Sequence, residues 1–184
     1  LAKSIKEGKK DIEISQKAKI KSCGVMVDVS RNAVMRVETV HQLIEYMAAL
    51  GLNMLMLYTE DTYEIEGRPY FGYMRGRYTA EELKKIVDYA DEFGIEVIPC
   101  IQTLAHLGQY LKWPEAEAVL DMGDCMLVDE PQTYELIESM IKTCREVFRT
   151  NRIHVGMDEA HSLGEGNYRK KFGKADKLEL FTRH

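Results

Sequence analysis

The stretch TAEELKKIVDYADEFGIEVIPCI, residues 79–101, decides the fold class because it joins an amphipathic helix directly to an apolar strand. Thr79 is followed three residues later by Glu82, a capping-box spacing that predicts the start of a helix. Gly94 supplies the left-handed conformation that commonly ends a helix. The short apolar run Glu96–Ile101 then predicts a strand. A helix feeding a buried strand is typical of an α/β protein.

The same alternation of strand and helix extends to both sides of this stretch. Each predicted strand is apolar over nearly its whole length, which favours a parallel sheet covered by helices on its faces. Residues 105–128 are expected to form short helical turns, and a polar tail is expected after the last strand. The predicted strands are Cys23–Val29, Asn53–Tyr58, Glu96–Ile101 and Arg152–Met157; the predicted helices are Val37–Leu50, the helix capped by Thr79, and Pro131–Thr150.

Two closures of such a sheet remain open from the residues alone. A doubly wound open sheet is the simpler one, and the other is part of a (β/α)8 barrel, which needs about 250 residues and eight strands. With 184 residues and four predicted strands, the chain holds about half of a barrel. Residues 1–20 are charged and aperiodic, so they are interpreted as a linker or the tail of a preceding domain, and residues 21–184 as one domain.

Composition excludes several classes of partner. The chain has 25 basic and 30 acidic residues, a net charge of −5 and no basic block, so no nucleic-acid partner is expected. No apolar run approaches the roughly 20 residues of a membrane span, so no membrane partner is expected. The four cysteines lack zinc-site spacing and suit a reducing compartment. The chain starts at Leu1 without a signal peptide, so we expect a piece of a longer protein and favour a cytoplasmic location.

Ionisable residues follow all four predicted strands. The carboxyl ends of parallel strands meet at one edge, where both barrels and open sheets bind their ligands. The pattern therefore predicts an active site at this edge. The residues concerned are Asp28 and Arg31, then Glu60 and Asp61, then His106, and finally Asp158, Glu159 and His161.

Asp158 and Glu159 are adjacent, so their side chains share one site only if the strand ends at this point. Gly156, just upstream, allows such an ending. Paired carboxylates divide readily into a protonated acid and an ionised stabiliser of positive charge. The alternative, of equal weight from the spacing, is that both residues cap a helix that follows the strand.

Four segments, in this order along the chain, resemble glycoside hydrolase family 20, the β-N-acetylhexosaminidases. Their order matches that of the family over roughly residues 22–165, and the Asp-Glu pair after the last strand is the most specific part. The family fold is a (β/α)8 barrel, so the resemblance implies that this chain holds about the first four βα units. The segments are VMVDVSRN (25–32), YTED (58–61), GRYTAEELKKIVDYADEFGIEVIP (76–99) and HVGMDEAHSLG (154–164).

The resemblance implies a function and a set of site residues. Family members release terminal N-acetylhexosamine (GlcNAc or GalNAc) from glycans by substrate-assisted retaining hydrolysis, without cofactor or metal. By resemblance, Glu159 is the general acid and base, and Asp158 orients the 2-acetamido group of the sugar and stabilises its developing positive charge. Arg31 matches the arginine that binds sugar hydroxyls. Asp61 and His106 match the residues that support the catalytic glutamate.

The chain also departs from the family pattern. Met157 stands where Gly-Gly-Asp-Glu has its second glycine, and PCIQTLAH, with Cys100 and Gln102, replaces a segment like PEIDMPGH. The aromatic residues that the family's later strands supply around the acetamido group are absent. We therefore expect the chain alone to be inactive and to self-associate through unpaired half-barrel edges.

Two alternatives from other functional classes remain. One is a non-catalytic carbohydrate-binding or interaction module that uses the same edge residues. The other is a metal-dependent barrel enzyme with ligands His106, Asp158, Glu159 and His161, which have suitable chemistry but no recognised metal-binding spacing.

Overall fold

Three parallel strands with helical crossovers form the centre of the protein, shown by a computed structural model that describes residues 6–8, 13, 15, 17–31 and 33–184. Of the predicted linker, residues 1–20, the structure describes only residues 6–8, 13, 15 and 17–20. The strands pair in the order β1-β2-β3, and α1 and α2 connect them. The bounds are β1 Gly24–Asp28, α1 Val37–Leu50, β2 Met54–Tyr58, α2 Ala80–Glu92 and β3 Glu96–Cys100.

The register places alternate residues of the three strands on the same face. Leu55 and Leu57 of β2 are buried and pack in one cluster with residues of α1 and α2, among them Ile44. The opposite face is less covered, since Met26, whose pairing partner is Met56, is 51% exposed. One face of the sheet is therefore the helix-covered core, and the other face is more open.

The two crossover helices confirm the local sequence signals. Gly51 ends α1 with φ of 75° and donates its backbone N–H back to the last turn. At the start of α2, the Thr79 side chain accepts from the Glu82 backbone N–H, and the Glu82 carboxylate accepts from the Thr79 backbone N–H. Both halves of the predicted capping box are present.

The fourth predicted strand, Arg152–Met157, is wrong in extent. The segment lies parallel to β3, but the described chain forms only an isolated bridge there, between Cys100 and His154. The Ile101 backbone N–H donates to the His154 carbonyl at 2.9 Å, and Thr103 N–H to the Gly156 carbonyl at 2.9 Å. Gly156 has φ of 57°, outside the extended region, so the pleat ends where the strand was expected to continue.

The predicted helical turns and polar tail also need correction. Part of residues 105–128 is an antiparallel hairpin, and two short helices occupy the expected tail, where Leu180 is fully buried. The third long helix ends at Val147, before the expected Thr150. None of the helices in the described part of the chain is long and apolar enough to cross a membrane. The remaining bounds are α3 Gly108–Leu111, a 3-10 turn Pro114–Val119, β4 Leu120–Met122, β5 Cys125–Met126, α4 Pro131–Val147, α5 Asn167–Phe172 and α6 Lys177–Arg183.

Candidate active site

The turn after β1 orients Arg31. The Asp28 carboxylate accepts hydrogen bonds from the Ser30 backbone N–H at 2.8 Å, the Ser30 hydroxyl at 2.9 Å and the Arg31 backbone N–H at 3.1 Å. Partial burial acts to raise the pKa of Asp28, but these hydrogen bonds outweigh it and lower the pKa. The ionised carboxylate therefore holds the turn from which the Arg31 side chain projects.

Arg31 connects the ends of β2 and β3. Its Nε donates to Glu60 Oε1 at 2.9 Å, and a terminal guanidinium nitrogen lies 3.0 Å from His106 Nδ1. The hydrogen bond to Glu60 raises the pKa of Arg31 above its ordinary value. Glu60 is nearly buried, whereas the Arg31 side chain is 53% exposed. Part of the guanidinium therefore remains available to a ligand.

The contact with Arg31 determines which nitrogen of His106 carries the proton. Because a guanidinium only donates hydrogen bonds, Nδ1 accepts, and a neutral imidazole then has its proton on Nε2. Nε2 lies 3.5 Å from both Asp158 Oδ2 and Glu159 Oε2. The His106 side chain is only 10% exposed, and its backbone has φ of 60°. Nε2 thus lies near both carboxylates in a constrained position, without a hydrogen bond to either of them.

The carboxylates of the Asp-Glu pair reach the same site. Asp158 is 56% and Glu159 is 62% exposed at the side chain. Glu159 has φ of 53°, unusual for a residue with a Cβ, so the chain turns sharply here. The next helix starts only at Asn167 with Gly166 as its N-cap, so the alternative that the pair caps a following helix is wrong.

The two carboxylates have different surroundings. Gln102 Nε2 donates to Asp158 Oδ1 at 3.1 Å. Partial burial acts to raise the pKa of Asp158, but the hydrogen bond from Gln102, a backbone hydrogen bond and a smaller electrostatic contribution from the nearby imidazoles outweigh it, so the pKa is lowered. These contacts therefore favour the ionised form of Asp158.

Asp61, also expected at this site, has a different partner. Its carboxylate is 1% exposed and accepts from Arg75 Nε at 3.1 Å. Burial raises the pKa of Asp61, and Arg75 opposes this rise without cancelling it. Arg75 also donates to the Ser30 carbonyl at 2.9 Å. The structure thus brings Arg31, His106, Asp158 and Glu159 together, while Asp61 braces the turn beside them through Arg75.

Sequence reasoning gave no role in the site to three contact residues, although it placed Glu60 at this edge of the sheet. Glu60 pairs with Arg31, Tyr58 donates to Glu60 Oε1 at 3.2 Å, and Gln102 donates to Asp158. All three stand at or just after the predicted ends of strands, so that position was the available signal. A depression of about 260 Å³ opens next to Arg31, Glu60 and His106.

Three of these residues could coordinate a metal ion. One potential ligand atom from each of His106, Asp158 and Glu159 lies within 4.8 Å of the others, and His161 is not part of this group. The contact with Arg31 leaves His106 with an N–H rather than a lone pair facing the carboxylates. The donor set therefore suits the binding of a polar substrate better than metal coordination, and the expected lack of a metal stays a prediction.

Comparisons with known proteins show which family this chain is similar to. The sequence profile of "Glycosyl hydrolase family 20, catalytic domain" matches residues 23–182. Human Hexosaminidase D is 29% identical over 141 residues, covering 74% of this chain and 29% of that protein. Beta-hexosaminidase of Emericella nidulans is 28% identical over 162 residues, covering 74% of this chain and 27% of its own length. The chain thus spans less than a third of these relatives.

Solved structures show the same fold. An exo beta-N-acetylglucosaminidase from Vibrio harveyi, solved in complex with N-acetylglucosamine, superposes with a TM-score of 0.74 at 20% identity, covering 88% of this chain and 32% of that one. A Streptomyces plicatus beta-hexosaminidase mutant in complex with GlcNAc gives a TM-score of 0.66 at 25% identity, covering 80% and 35%. The barrel interpretation is thereby favoured over the open sheet, and the fold is of the TIM-barrel type. Profile, relatives and fold together show that the chain belongs to glycosyl hydrolase family 20.

Proposed function

We propose that this chain carries the acid/base and substrate-orienting residues of a β-N-acetylhexosaminidase. The observation that supports it most is the meeting of Arg31, His106, Asp158 and Glu159 at the carboxyl edge of the sheet. Their chemistry matches the task, because a guanidinium binds hydroxyls and two unequal carboxylates divide into acid and stabiliser. The glycan would carry a terminal GlcNAc or GalNAc.

In the proposed reaction, Glu159 and Asp158 act on the same sugar. Glu159 gives its proton to the glycosidic oxygen as the bond from that oxygen to the anomeric carbon breaks. The 2-acetamido oxygen of the sugar forms a new bond to the anomeric carbon. Asp158, kept ionised by Gln102 and His106, accepts from the acetamido N–H and stabilises the positive charge that develops there. Water then attacks the anomeric carbon as its bond to the acetamido oxygen breaks, and the Glu159 carboxylate takes a proton from the attacking water.

Arg31 and His106 prepare the site for this step. The exposed part of the Arg31 guanidinium donates to sugar hydroxyls, while Glu60 fixes its direction. His106 places Nε2 3.5 Å from both Asp158 and Glu159, and at this distance its imidazole helps to position the acid. We assign Asp61 an indirect supporting role, since it acts through Arg75.

We further propose that residues 21–184 are the N-terminal half of the catalytic barrel, about its first four βα units, with residues 1–20 as a linker. The chain covers only 29% of the length of human Hexosaminidase D. In the described chain, β1 pairs with β2 alone, and Met26 on β1 is 51% exposed. We therefore expect the 184-residue chain to lack turnover and to self-associate. Light scattering that finds only monomer at high concentration would contradict the self-association.

The test of function is hydrolysis of p-nitrophenyl N-acetyl-β-glucosaminide and the corresponding galactosaminide. The protein encoded by the longest reading frame that includes this chain, called the long protein below, is assayed beside the 184-residue chain. Glu159→Gln should lower kcat by about 10² to 10⁴-fold, the usual contribution of a general acid. Glu138→Gln makes the same chemical change on an exposed face of α4 and should leave kcat unaltered.

Failure of the long protein to cleave either sugar would refute the proposed hydrolysis. Calorimetric binding of a GlcNAc-terminated glycan without cleavage would instead support the carbohydrate-binding alternative. Turnover that survives Glu159→Gln would remove Glu159 from the acid role.

A further inference from the structure

Gln102 is held at the junction between β3 and the segment that carries the Asp-Glu pair. Its side chain is buried with 0% exposure. Nε2 donates one hydrogen bond to Asp158 Oδ1 and another to the Tyr58 hydroxyl, both at 3.1 Å. A primary amide has two N–H groups, so both contacts are satisfied at once. If the Gln102 amide were rotated by 180°, its carbonyl oxygen would face the Asp158 carboxylate. The amide is therefore oriented with Nε2 toward Asp158.

The hydrogen bonds continue from Gln102 to the end of β1. The Tyr58 hydroxyl donates to Glu60 Oε1 at 3.2 Å, and Arg31 Nε donates to the same oxygen at 2.9 Å. Burial raises the pKa of Tyr58 to about 12, so the hydroxyl remains a donor throughout the neutral range. The series of contacts therefore runs Asp158–Gln102–Tyr58–Glu60–Arg31, and each contact joins a donor to an acceptor.

The backbone around Gln102 leaves it little freedom. A Cβ on Gly156 would lie 2.7 Å from both Cδ and Oε1 of Gln102, and 2.2 Å from the Ile101 carbonyl oxygen. The Thr103 N–H also bonds the Gly156 carbonyl. Gln102 thus packs directly against Gly156, which lies two residues before Asp158 in the same segment.

We propose that Gln102 is a positioning residue that holds Asp158 ionised and oriented, and that joins it through Tyr58 and Glu60 to Arg31. This inference rests on the proposed function, because it concerns the same Asp158. The resembling family segment has an acidic residue at the position of Gln102, and a carboxyl group there would compete with Asp158 for a proton. An amide donates to Asp158 without titrating. Other titratable groups acting on Asp158 are His106, Glu159, His154 and Cys100.

The test compares Gln102→Glu with Gln42→Glu, which makes the same change on an exposed face of α1. The pKa of Asp158 is measured in the 184-residue chain by carbon-detected NMR of its carboxyl group, which requires no turnover. Gln102→Glu should raise this pKa by about one unit or more, as expected for two carboxyl groups that share a site. Gln42→Glu should leave it unchanged. An unaltered Asp158 pKa in folded Gln102→Glu would overturn the proposal.

A second variant, Tyr58→Phe, gives a test that does not depend on correct folding of Gln102→Glu. Tyr58→Phe removes one hydroxyl from the middle of the series and leaves Gln102 in contact with Asp158. The Asp158 pKa should then stay within a few tenths of a unit, while kcat/KM of the long protein falls because Glu60 and Arg31 lose a fixed partner. A large shift of the Asp158 pKa in Tyr58→Phe would contradict the assigned order of contacts. If the long protein is inactive but the NMR shifts occur, the proposed function fails and the positioning role stands.

Discussion

Gly156→Ala should destabilise the protein by two additive costs. The backbone has φ of 57°, and a residue with a Cβ pays about 1–2 kcal/mol in this left-handed region. The added methyl group would also lie 2.2 Å from the Ile101 carbonyl oxygen and 2.7 Å from Gln102. Overpacking of this kind costs about 1–3 kcal/mol. The free energy of unfolding should therefore fall by roughly 2–5 kcal/mol.

Gly94→Ala is the matched control in a urea-unfolding experiment. Gly94 also has positive φ, at 67°, but a Cβ there would meet nothing within 4 Å. In the control, the free energy of unfolding should fall only by the conformational cost of about 1–2 kcal/mol. The difference between the two variants isolates the close approach of the Gly156 segment to β3. Losses that agree within about 0.5 kcal/mol, the size of an ordinary surface substitution, would refute the close packing.

Two further predictions concern local structure near the sheet. Thr79→Ala removes the capping box of α2 and should cost about 1 kcal/mol in urea unfolding; a loss of only a few tenths would count against it. Asp28→Asn keeps an acceptor but removes the charge, so the variant should be less stable than the parent at pH 7. Because the pKa of Asp28 is lowered in the folded state, that difference should shrink as the pH falls through the lowered pKa. A difference that persists undiminished at pH 3 would contradict the role of the charge.

The parts of the fold that follow from the sequence are those decided by neighbouring residues. The capping box of Thr79 and Glu82 and the left-handed Gly51 use interactions within one turn, so their patterns predict both helix ends correctly. The apolar runs likewise predict β1, β2 and β3 from neighbouring residues alone, although Met26 on β1 is 51% exposed. The barrel could be distinguished from an open sheet only through the resemblance and the comparisons.

The errors arise where distant contacts decide the local conformation. Gly156 leaves the extended region because its backbone approaches Ile101 and Gln102, and no local pattern shows this contact. The C-terminal helices α5 and α6 have six and seven residues, too short for a clear helical period. Leu180 is buried there by tertiary packing with residues such as Leu127.

The candidate site was foreseen in its location but not in all its contacts. The edge of the sheet was predictable because parallel strands place their carboxyl ends together. Glu60 and Asp61 are adjacent, and sequence alone does not show which of them faces Arg31 and which turns to Arg75. Gln102 drew attention only as a departure from the family pattern, and its contact with Asp158 required the folded chain.

The most direct test of the central claim compares two substrates that differ at one position. The protein encoded by the longest reading frame that includes this chain is given p-nitrophenyl N-acetyl-β-glucosaminide and p-nitrophenyl β-glucoside, which carries a 2-hydroxyl group in place of the 2-acetamido group. If the acetamido oxygen is the nucleophile, kcat/KM for the glucoside should be at least about 10³-fold lower, since well-placed intramolecular nucleophiles reach effective concentrations of 10⁵ M or more. Comparable rates for the two substrates would contradict substrate-assisted hydrolysis and the role proposed for Asp158.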